Sequence, residues 1–256
     1  MDAGLSLGLE GRRALVTGGS RGIGRAAALL LARAGADVGI GYQHREAEAE
    51  EVVAEVRRLR RRGFAQAADL GTPWGAELVF ERCLVELGGV DVFVANAGVW
   101  PPDETPIATL TDEQWSRTLT ANLSSVFHTV RLAARFIGDG GRIVVVSSTA
   151  GQRGEPFHAD YAASKGALIA LVKSVAVELA PRGVTVNCVA PGWVDTDMVE
   201  GALAGGGRER IEASIPLGRV ATAEDVAGPI VFLCSTLARH VTGAVLSVNG
   251  GSVLGG

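Results

Sequence analysis

Short apolar runs alternate along the chain with longer stretches of helical periodicity. The apolar runs predict strands at 13–17, 37–42, 64–68, 91–95, 142–146, 184–190 and 244–248. The stretches between them predict helices at 25–35, 46–62, 72–87, 110–137, 161–180 and 222–235. Near-continuous apolar strands are typical of parallel sheets covered on both faces. The pattern therefore predicts an α/β fold with a doubly wound parallel sheet and helices on both faces.

The alternation of strands and helices continues without a linker or an internal repeat. A chain of 256 residues fits one large α/β domain, so we predict a single domain over 1–256. The segment 195–215 is helical in pattern but is interrupted by three glycines at 205–207. We predict a mobile lid over a site near 195–215; the alternative is a loose surface excursion.

Composition and charge exclude several classes of protein. The net charge of −4 argues against a nucleic-acid partner, and the arginines at 57–62 are interpreted as a solvated helix end. The three cysteines lie far apart without metal-binding spacing, which is typical of a reducing compartment, so we expect a cytoplasmic protein and no metal site. Residues 1–10 show no secretion signal, and no apolar stretch is long enough to span a membrane.

A glycine-rich turn joins the first predicted strand to the first helix. Its residues are Gly18, Gly19, Ser20, Arg21, Gly22, Ile23 and Gly24. Glycines let the backbone approach a phosphate closely, and the free N–H groups at a helix start favour an anion. The G-x-x-x-G-x-G spacing, between a strand and a helix, predicts nucleotide binding. The alternative is a tight turn without a ligand.

The end of the second strand indicates which nucleotide. A carboxylate often follows this strand and binds the ribose 2′-OH of NAD. Here Tyr42 is followed by Gln43, His44 and Arg45, with Arg21 in the glycine turn nearby. A 2′-phosphate is attracted by arginine and would be repelled by a carboxylate. We therefore predict NADP(H) in preference to NAD(H).

Tyr161 and Lys165 lie one helical turn apart and on the same face. Only Lys165 and Lys173 are lysine among the 24 basic residues, so a lysine here is unusual. An ammonium at roughly 4 Å contributes roughly 4 kcal/mol at an effective dielectric of about 20. We therefore expect Lys165 to lower the pKa of Tyr161 by up to about three units, so that the phenol exchanges protons near neutral pH. The alternative is a helix anchor beside a surface charge.

Further polar and small residues follow the other strands. They are Asp69 and Leu70 after the third, Asn96, Ala97 and Gly98 after the fourth, Ser147 and Ser148 after the fifth, and Pro191 and Gly192 after the sixth. In open α/β sheets the ligand binds outside the carboxyl ends of the strands, so we expect these residues at one crevice. For Asn96 to Gly98 an ordinary turn is the alternative.

The ordered set of motifs resembles the short-chain dehydrogenase/reductase family over essentially the whole chain. The matching residues are Thr17-Gly18-x-x-x-Gly22-Ile23-Gly24, Asp69, Asn96-Ala97-Gly98, Asn122, Ser148, Tyr161-x-x-x-Lys165 and Pro191-Gly192. The resemblance implies a Rossmann-like fold, nicotinamide-dependent hydride transfer and a homotetramer. It also implies an Asp69 contact to adenine, and cofactor contacts that include Leu70, Val194 and Thr196.

The resemblance also implies the catalytic roles. Tyr161 would donate or accept the proton, and Ser148 would polarise the carbonyl. Lys165 would lower the pKa of Tyr161 and hold the nicotinamide ribose, and Asn122 would keep a water that links Lys165 to solvent. Ser148 is chosen over Ser147 because it lies thirteen residues before Tyr161, which is the usual offset in the family.

Substrate identity is less defined by the sequence. Trp100, Phe157, Trp193 and Met198 could line an apolar pocket or pack in the core, and Arg153 could meet an anionic group or only solvent. The overall resemblance favours a 3-oxoacyl thioester on acyl carrier protein or coenzyme A. The alternatives are a sugar, polyol or polyketide-type ketone, and, outside enzymes, an NADP-sensing binding protein.

Overall fold

A computed structural model describes residues 6–254 of the chain. The strands are β1 Arg13–Thr17, β2 Asp37–Tyr42, β3 Gly63–Ala67, β4 Val90–Ala95, β5 Ile137–Val146, β6 Thr185–Pro191 and β7 Val245–Val248. They form one parallel sheet in the order β3-β2-β1-β4-β5-β6-β7. The predicted fold class is confirmed. The predicted absence of a secretion signal concerns residues 1–10, of which 1–5 lie outside the described part.

Helices connect the strands. They are α1 Gly22–Arg33, α2 Glu46–Arg58, α3 Pro73–Leu87, α4 Asp112–Leu119, α5 Ser125–Phe136, α6 Thr149–Arg153, α7 Ala159–Leu179, α8 Glu200–Leu203, α9 Gly207–Ala213 and α10 Ala223–Cys234. Single 3₁₀ turns follow α7 at Ala180–Arg182 and α10 at Thr236–Ala238. Between residues 6 and 254, no helix has the length and apolar character needed to cross a bilayer.

Both faces of the sheet are buried, which explains the near-continuous apolar strands. Neighbouring residues of one strand point to opposite faces. Accordingly Val16 packs in the core beneath α1, α2 and α10, whereas Leu15 packs in the core beneath α3, α5 and α7. Val144 and Ile143 divide in the same way on β5. The sheet therefore separates two hydrophobic cores, one on each face.

The order of the strands reverses between β1 and β4. β1 leads outward to β2 and β3, while β4 leads the other way to β5, β6 and β7. The helices that follow β1 and β4 therefore pack on opposite faces of the sheet and leave a crevice outside the strand ends, which is where ligands bind in open α/β sheets. The glycine turn after β1 and the Asn96 turn after β4 lie at this crevice.

The single long helix predicted at 110–137 is wrong in detail. Thr111 caps α4 by accepting the Gln114 N–H at 3.2 Å, as its sequence pattern indicates. A five-residue π-helical segment, Thr120–Ser124, then separates α4 from α5. π-Bulges are rare and occur frequently at functional sites. Here the segment contains Asn122, whose side-chain contacts are given below.

The segment between β6 and α10 contains two short helices, as the predicted interruption requires. α8 ends at Leu203 and α9 begins at Gly207, so the break lies at the predicted glycine run. Gly205 and Gly206 have φ values of 57° and 83°, which favour glycine. A small apolar cluster of Leu203, Ile215 and Val220 holds this part together.

Candidate active site

A cleft of about 710 Å³ opens at the carboxyl ends of the strands. The predicted site residues that line it are Gly18, Ser20, Arg21, Gly22, Ile23, Tyr42, His44, Arg45, Asp69, Leu70, Asn96, Ala97, Gly98, Trp100, Ser148, Arg153, Tyr161, Lys165, Pro191, Gly192, Trp193, Val194, Thr196 and Met198. Gly24, Asn122 and Phe157 do not line it. The fold thus gathers residues from six strand ends into one site.

The glycine turn fits a phosphate group. Gly18 and Gly22 have φ values of 64° and 52°, and α1 begins at Gly22 with no side chain capping its first N–H groups. These N–H groups and the helix dipole are left to bind an anion from the cleft. Gly24 lets the first turn of α1 pack closely against the glycine turn, because a Cβ on Gly24 would lie 2.2 Å from the Gly18 carbonyl oxygen.

Thr17 and Asn96 join the glycine turn to the turn after β4. Thr17 Oγ1 accepts the N–H groups of Asn96 and Ala97 at 3.0 and 3.2 Å. Asn96 Nδ2 donates to the carbonyl oxygens of Thr17 and Gly18 at 3.1 and 3.2 Å. The Asn96 side chain is therefore used to shape the cleft floor, which favours the structural interpretation of this residue.

The two other sides of the cleft come from the β3–α3 turn and the chain after β6. Asp69 is exposed and accepts the Gly71 N–H at 2.9 Å. Thr196 packs over the glycine turn, where a Cβ on Gly22 would lie 3.2 Å from its methyl group. Val194 forms an isolated bridge to Ala221, which ties the segment down just before Thr196.

At the rim beyond β2, Arg21 and Arg45 approach the same carboxylate. Each places Nη1 3.4 Å from Oδ2 of Asp197. Arg45 also contacts Glu48 at 3.1 Å. Both arginines lie beside Tyr42 and His44 in the cleft wall, as the predicted 2′-phosphate site requires. The Asp197 contact was not foreseen from the sequence.

Tyr161 and Lys165 meet at the inner end of the cleft. Both side chains are buried, and Lys165 Nζ lies 5.8 Å from the centre of the Tyr161 ring. The ammonium donates to the Val146 carbonyl oxygen at 3.0 Å. Ser148 lies beside the Tyr161 hydroxyl and lowers its pKa, and Ser148 Oγ accepts the Ala150 N–H at 3.1 Å. Ser147 Oγ instead donates to the Lys165 carbonyl oxygen at 2.8 Å. Ser148 is therefore the serine placed to act together with Tyr161.

The expectation that Lys165 lowers the pKa of Tyr161 is wrong for this structure. Burial raises the pKa of Tyr161 to about 12, the neighbouring Ser148 side chain lowers it in part, and the Glu155 carboxylate raises it further. Burial also lowers the pKa of Lys165 to about 8. Loss of hydration, which sequence spacing does not reveal, dominates both groups. Tyr161 is consequently protonated at neutral pH and can donate a proton.

Asn122 shapes the site from behind its wall. Its Oδ1 accepts the Val99 N–H at 2.8 Å, and its Nδ2 donates to the Val99 carbonyl oxygen at 2.9 Å and to Ser164 Oγ at 3.3 Å. A Cβ on Gly98 would lie 3.0 Å from Asn122 Oδ1 and 3.3 Å from Lys165 Nζ. The fully buried amide thus fixes the loop that faces Lys165.

Two indole rings and a carboxylate form the outer end of the cleft. Trp100 and Trp193 meet edge to face with ring centres 5.9 Å apart. Trp100 Nε1 donates to Glu155 Oε1 at 3.1 Å, and its ring stacks on His158 at 4.8 Å. Glu155, Arg153 and Met198 also line this end. We call Trp100, Trp193 and Glu155 together the tryptophan corner.

The prediction that Phe157 lines the substrate pocket is not supported by its position. Its side chain is half exposed outside the cleft lining, and its backbone has a φ of 64°. Its carbonyl oxygen accepts the Thr105 N–H at 2.9 Å. Glu155, two residues earlier in the chain, lines the cleft where Phe157 was predicted. Glu155 and Asp197 were missed because both lie in irregular segments where no spacing marks a carboxylate as functional.

Comparison with known proteins agrees with this geometry. The family model described as enoyl-(acyl carrier protein) reductase matches residues 18–252. An L-rhamnose 1-dehydrogenase (NAD(P)(+)) of Sphingomonas is 40% identical over 95% of this chain and 96% of the relative. A 3-oxoacyl-acyl-carrier-protein reductase of Escherichia coli is 40% identical over 96% of this chain and 98% of the relative.

A solved structure is similar over the same extent. The short-chain dehydrogenase of Burkholderia cenocepacia in complex with NADP has a TM-score of 0.89 and 39% identity, covering 95% of this chain and 98% of that one. The fold and the site therefore define an oxidoreductase that acts on CH–OH and carbonyl groups. The chain belongs to the short-chain dehydrogenase/reductase family.

Proposed function

We propose that the protein transfers a hydride between NADP(H) and a carbonyl or secondary alcohol held at the inner end of the cleft. The observation that carries the proposal is the buried Tyr161 side chain, with Ser148 and Lys165 beside it, in the cleft that also holds the phosphate-fitting glycine turn. The nicotinamide supplies or accepts the hydride when it is bound. Every other step falls to side chains of this chain.

The proposed roles follow from the contacts. Tyr161 donates a proton to the alkoxide oxygen formed on reduction, since its raised pKa keeps it protonated. Ser148 hydrogen-bonds the same oxygen and stabilises its developing charge. Lys165 binds the nicotinamide ribose and provides positive charge near Tyr161. Asn122 positions the Val99 loop that faces Lys165. The family resemblance adds to this role a water that would link Lys165 to solvent.

We propose NADP(H) as the preferred cofactor because Arg21 and Arg45 converge at the cleft rim. Replacing Arg21 by alanine should lower kcat/KM for NADPH by about tenfold or more, because a charge-assisted hydrogen bond to the 2′-phosphate is lost. The value for NADH, which has no 2′-phosphate, should change little. Steady-state kinetics with both cofactors measure this, and an equal loss for both would contradict the assignment.

The first candidate substrate is a 3-oxoacyl thioester on acyl carrier protein or coenzyme A. The 40% identity to a 3-oxoacyl-acyl-carrier-protein reductase over almost the full length supports it. We expect acetoacetyl thioesters to support NADPH oxidation, followed as the loss of absorbance of the reduced cofactor. If no thioester of any chain length reacts, this candidate is excluded.

The tryptophan corner favours a second candidate, a hydroxylated ring such as a sugar or a cyclic polyketide ketone. Flat aromatic faces bind the apolar face of a ring, and the Glu155 carboxylate accepts hydrogen bonds from hydroxyl groups. The relative named as an L-rhamnose 1-dehydrogenase supports it independently. The same assay, run in the oxidative direction with aldoses and polyols, compares the two candidates by kcat/KM.

Three further properties are part of the proposal. A cytoplasmic location is consistent with three buried thiols in the described part of the chain. The family resemblance supports a homotetramer. The glycine-interrupted helices α8 and α9 support a mobile lid over 195–215. An NADP-sensing role without catalysis is the non-enzymatic alternative, and any NADPH oxidation that depends on a carbonyl compound excludes it.

A further inference from the structure

Arg21 and Arg45, from two different loops, share one carboxylate oxygen at the rim of the cleft. Arg21 stands at the N-cap of α1 and Arg45 at the N-cap of α2. Each places Nη1 3.4 Å from Asp197 Oδ2, although Asp197 is 176 residues away from Arg21 along the chain. The fold therefore delivers a negative charge to the pair of arginines assigned above to the 2′-phosphate.

This carboxylate and a 2′-phosphate need the same donors. A phosphate monoester carries a charge of about −1.5 to −2 near neutral pH and binds guanidinium groups through charge-assisted hydrogen bonds. A carboxylate held against the same two guanidiniums uses part of that donor capacity and repels the incoming phosphate. NAD(H) has a neutral hydroxyl at this position, so the carboxylate does not oppose it in this way.

The contacts of Asp197 suit a group that can be displaced. Its distances of 3.4 Å exceed the roughly 2.7–2.9 Å of a strong charge-assisted bond. Its side chain is about half exposed, so water can solvate it once it leaves the arginines. Asp195, two residues earlier and equally exposed, instead holds Arg208 at 2.6 Å. The same segment thus contains one tight ion pair and one loose one.

We propose that Asp197 is a specificity-determining residue whose carboxylate competes with the 2′-phosphate for Arg21 and Arg45 and so reduces the preference for NADP(H) over NAD(H). The inference rests on the proposed use of these two arginines to bind NADP(H). Glu48 also contacts Arg45, at 3.1 Å, but Asp197 is the acid that contacts both arginines, and it lies on the segment that covers the glycine turn.

The test is a binding titration of the full-length protein with NADPH and with NADH, read by fluorescence. Asp197→Asn keeps the shape of the side chain and removes its charge. We expect the Kd for NADPH to fall about three- to tenfold and the Kd for NADH to stay within about twofold. The gain should shrink as salt is added, because these side chains are exposed and their charges are screened.

Asp195→Asn is the matched control, since it removes the same charge from the same segment but breaks only the pair with Arg208. It should leave the NADPH-to-NADH ratio unchanged. The inference is overturned if the Asp197→Asn protein binds NADPH no more tightly than wild type, or if its affinity rises equally for NADPH and NADH. If Arg21→Ala fails to weaken NADPH binding, the proposed cofactor site is wrong instead, so the two failures are distinguishable.

Discussion

Replacing Tyr161 by phenylalanine should lower kcat by about 10²- to 10⁴-fold, because the variant keeps the ring but loses the proton that the alkoxide requires. The Tyr161 side chain is buried beside Ser148, and its hydroxyl is protonated at neutral pH, since burial raises its pKa to about 12. Water has little access to replace it at this position. The measurement is steady-state turnover with saturating NADPH and the best substrate of the screen.

Cofactor binding is the control for this variant. The Kd for NADPH and the thermal stability should stay close to wild type, since the aromatic ring still fills its site at the cleft wall. A loss of activity with intact binding places the defect in the chemical step. Near-normal turnover of the variant would show that another group donates the proton, and the assignment of Tyr161 would be abandoned.

Replacing Lys165 by arginine should lower kcat/KM by about 10²-fold even though the charge is kept. The buried ammonium donates to the Val146 carbonyl oxygen and lies against Gly98, where a planar guanidinium does not fit. Lys173→Arg is the matched control. It is the only other lysine of the chain, it lies on the same helix, and its side chain is exposed.

The pH profile gives Lys165 a second, independent readout. Burial lowers the pKa of Lys165 to about 8, so the ammonium is present below about pH 8 and is lost above it. The wild-type kcat/KM for reduction, which reports the free enzyme, should therefore fall above about pH 8. Tyr161 stays protonated over this range and contributes no such fall. In Lys165→Arg the residual activity should show no alkaline fall there, and a fall at the same pH would assign it to another group.

Much of the site follows from short-range pattern. The glycine turn is defined by a strand, three glycines and a helix that are contiguous in sequence, so its backbone geometry is local. The spacing of Tyr161 and Lys165 is likewise fixed by one helical turn in α7. Parallel strands also collect their carboxyl ends at one edge, which is why so many predicted residues line one cleft.

Features that depend on long-range packing were not predictable in this way. The π-helical segment at Thr120–Ser124 replaced the middle of a predicted long helix, because Asn122 is held there by Val99, 23 residues earlier in the chain. The tryptophan corner requires Trp100 and Trp193 to meet across the cleft. Phe157 has the same apolar character and was predicted beside them, but it lies outside.

The fold class, the glycine turn and the same-face pair of Tyr161 and Lys165 follow from the order of residues, because each depends on contacts within a few residues or on the regular geometry of strand ends. The direction in which the pKa of each member of this pair shifts, and the neighbours of Arg21, depend on the folded chain. Burial, which depends on everything that packs around a group, raises the pKa of Tyr161 and lowers that of Lys165. The approach of Asp197 to two distant arginines likewise depends on how the chain after β6 folds back over the first turn.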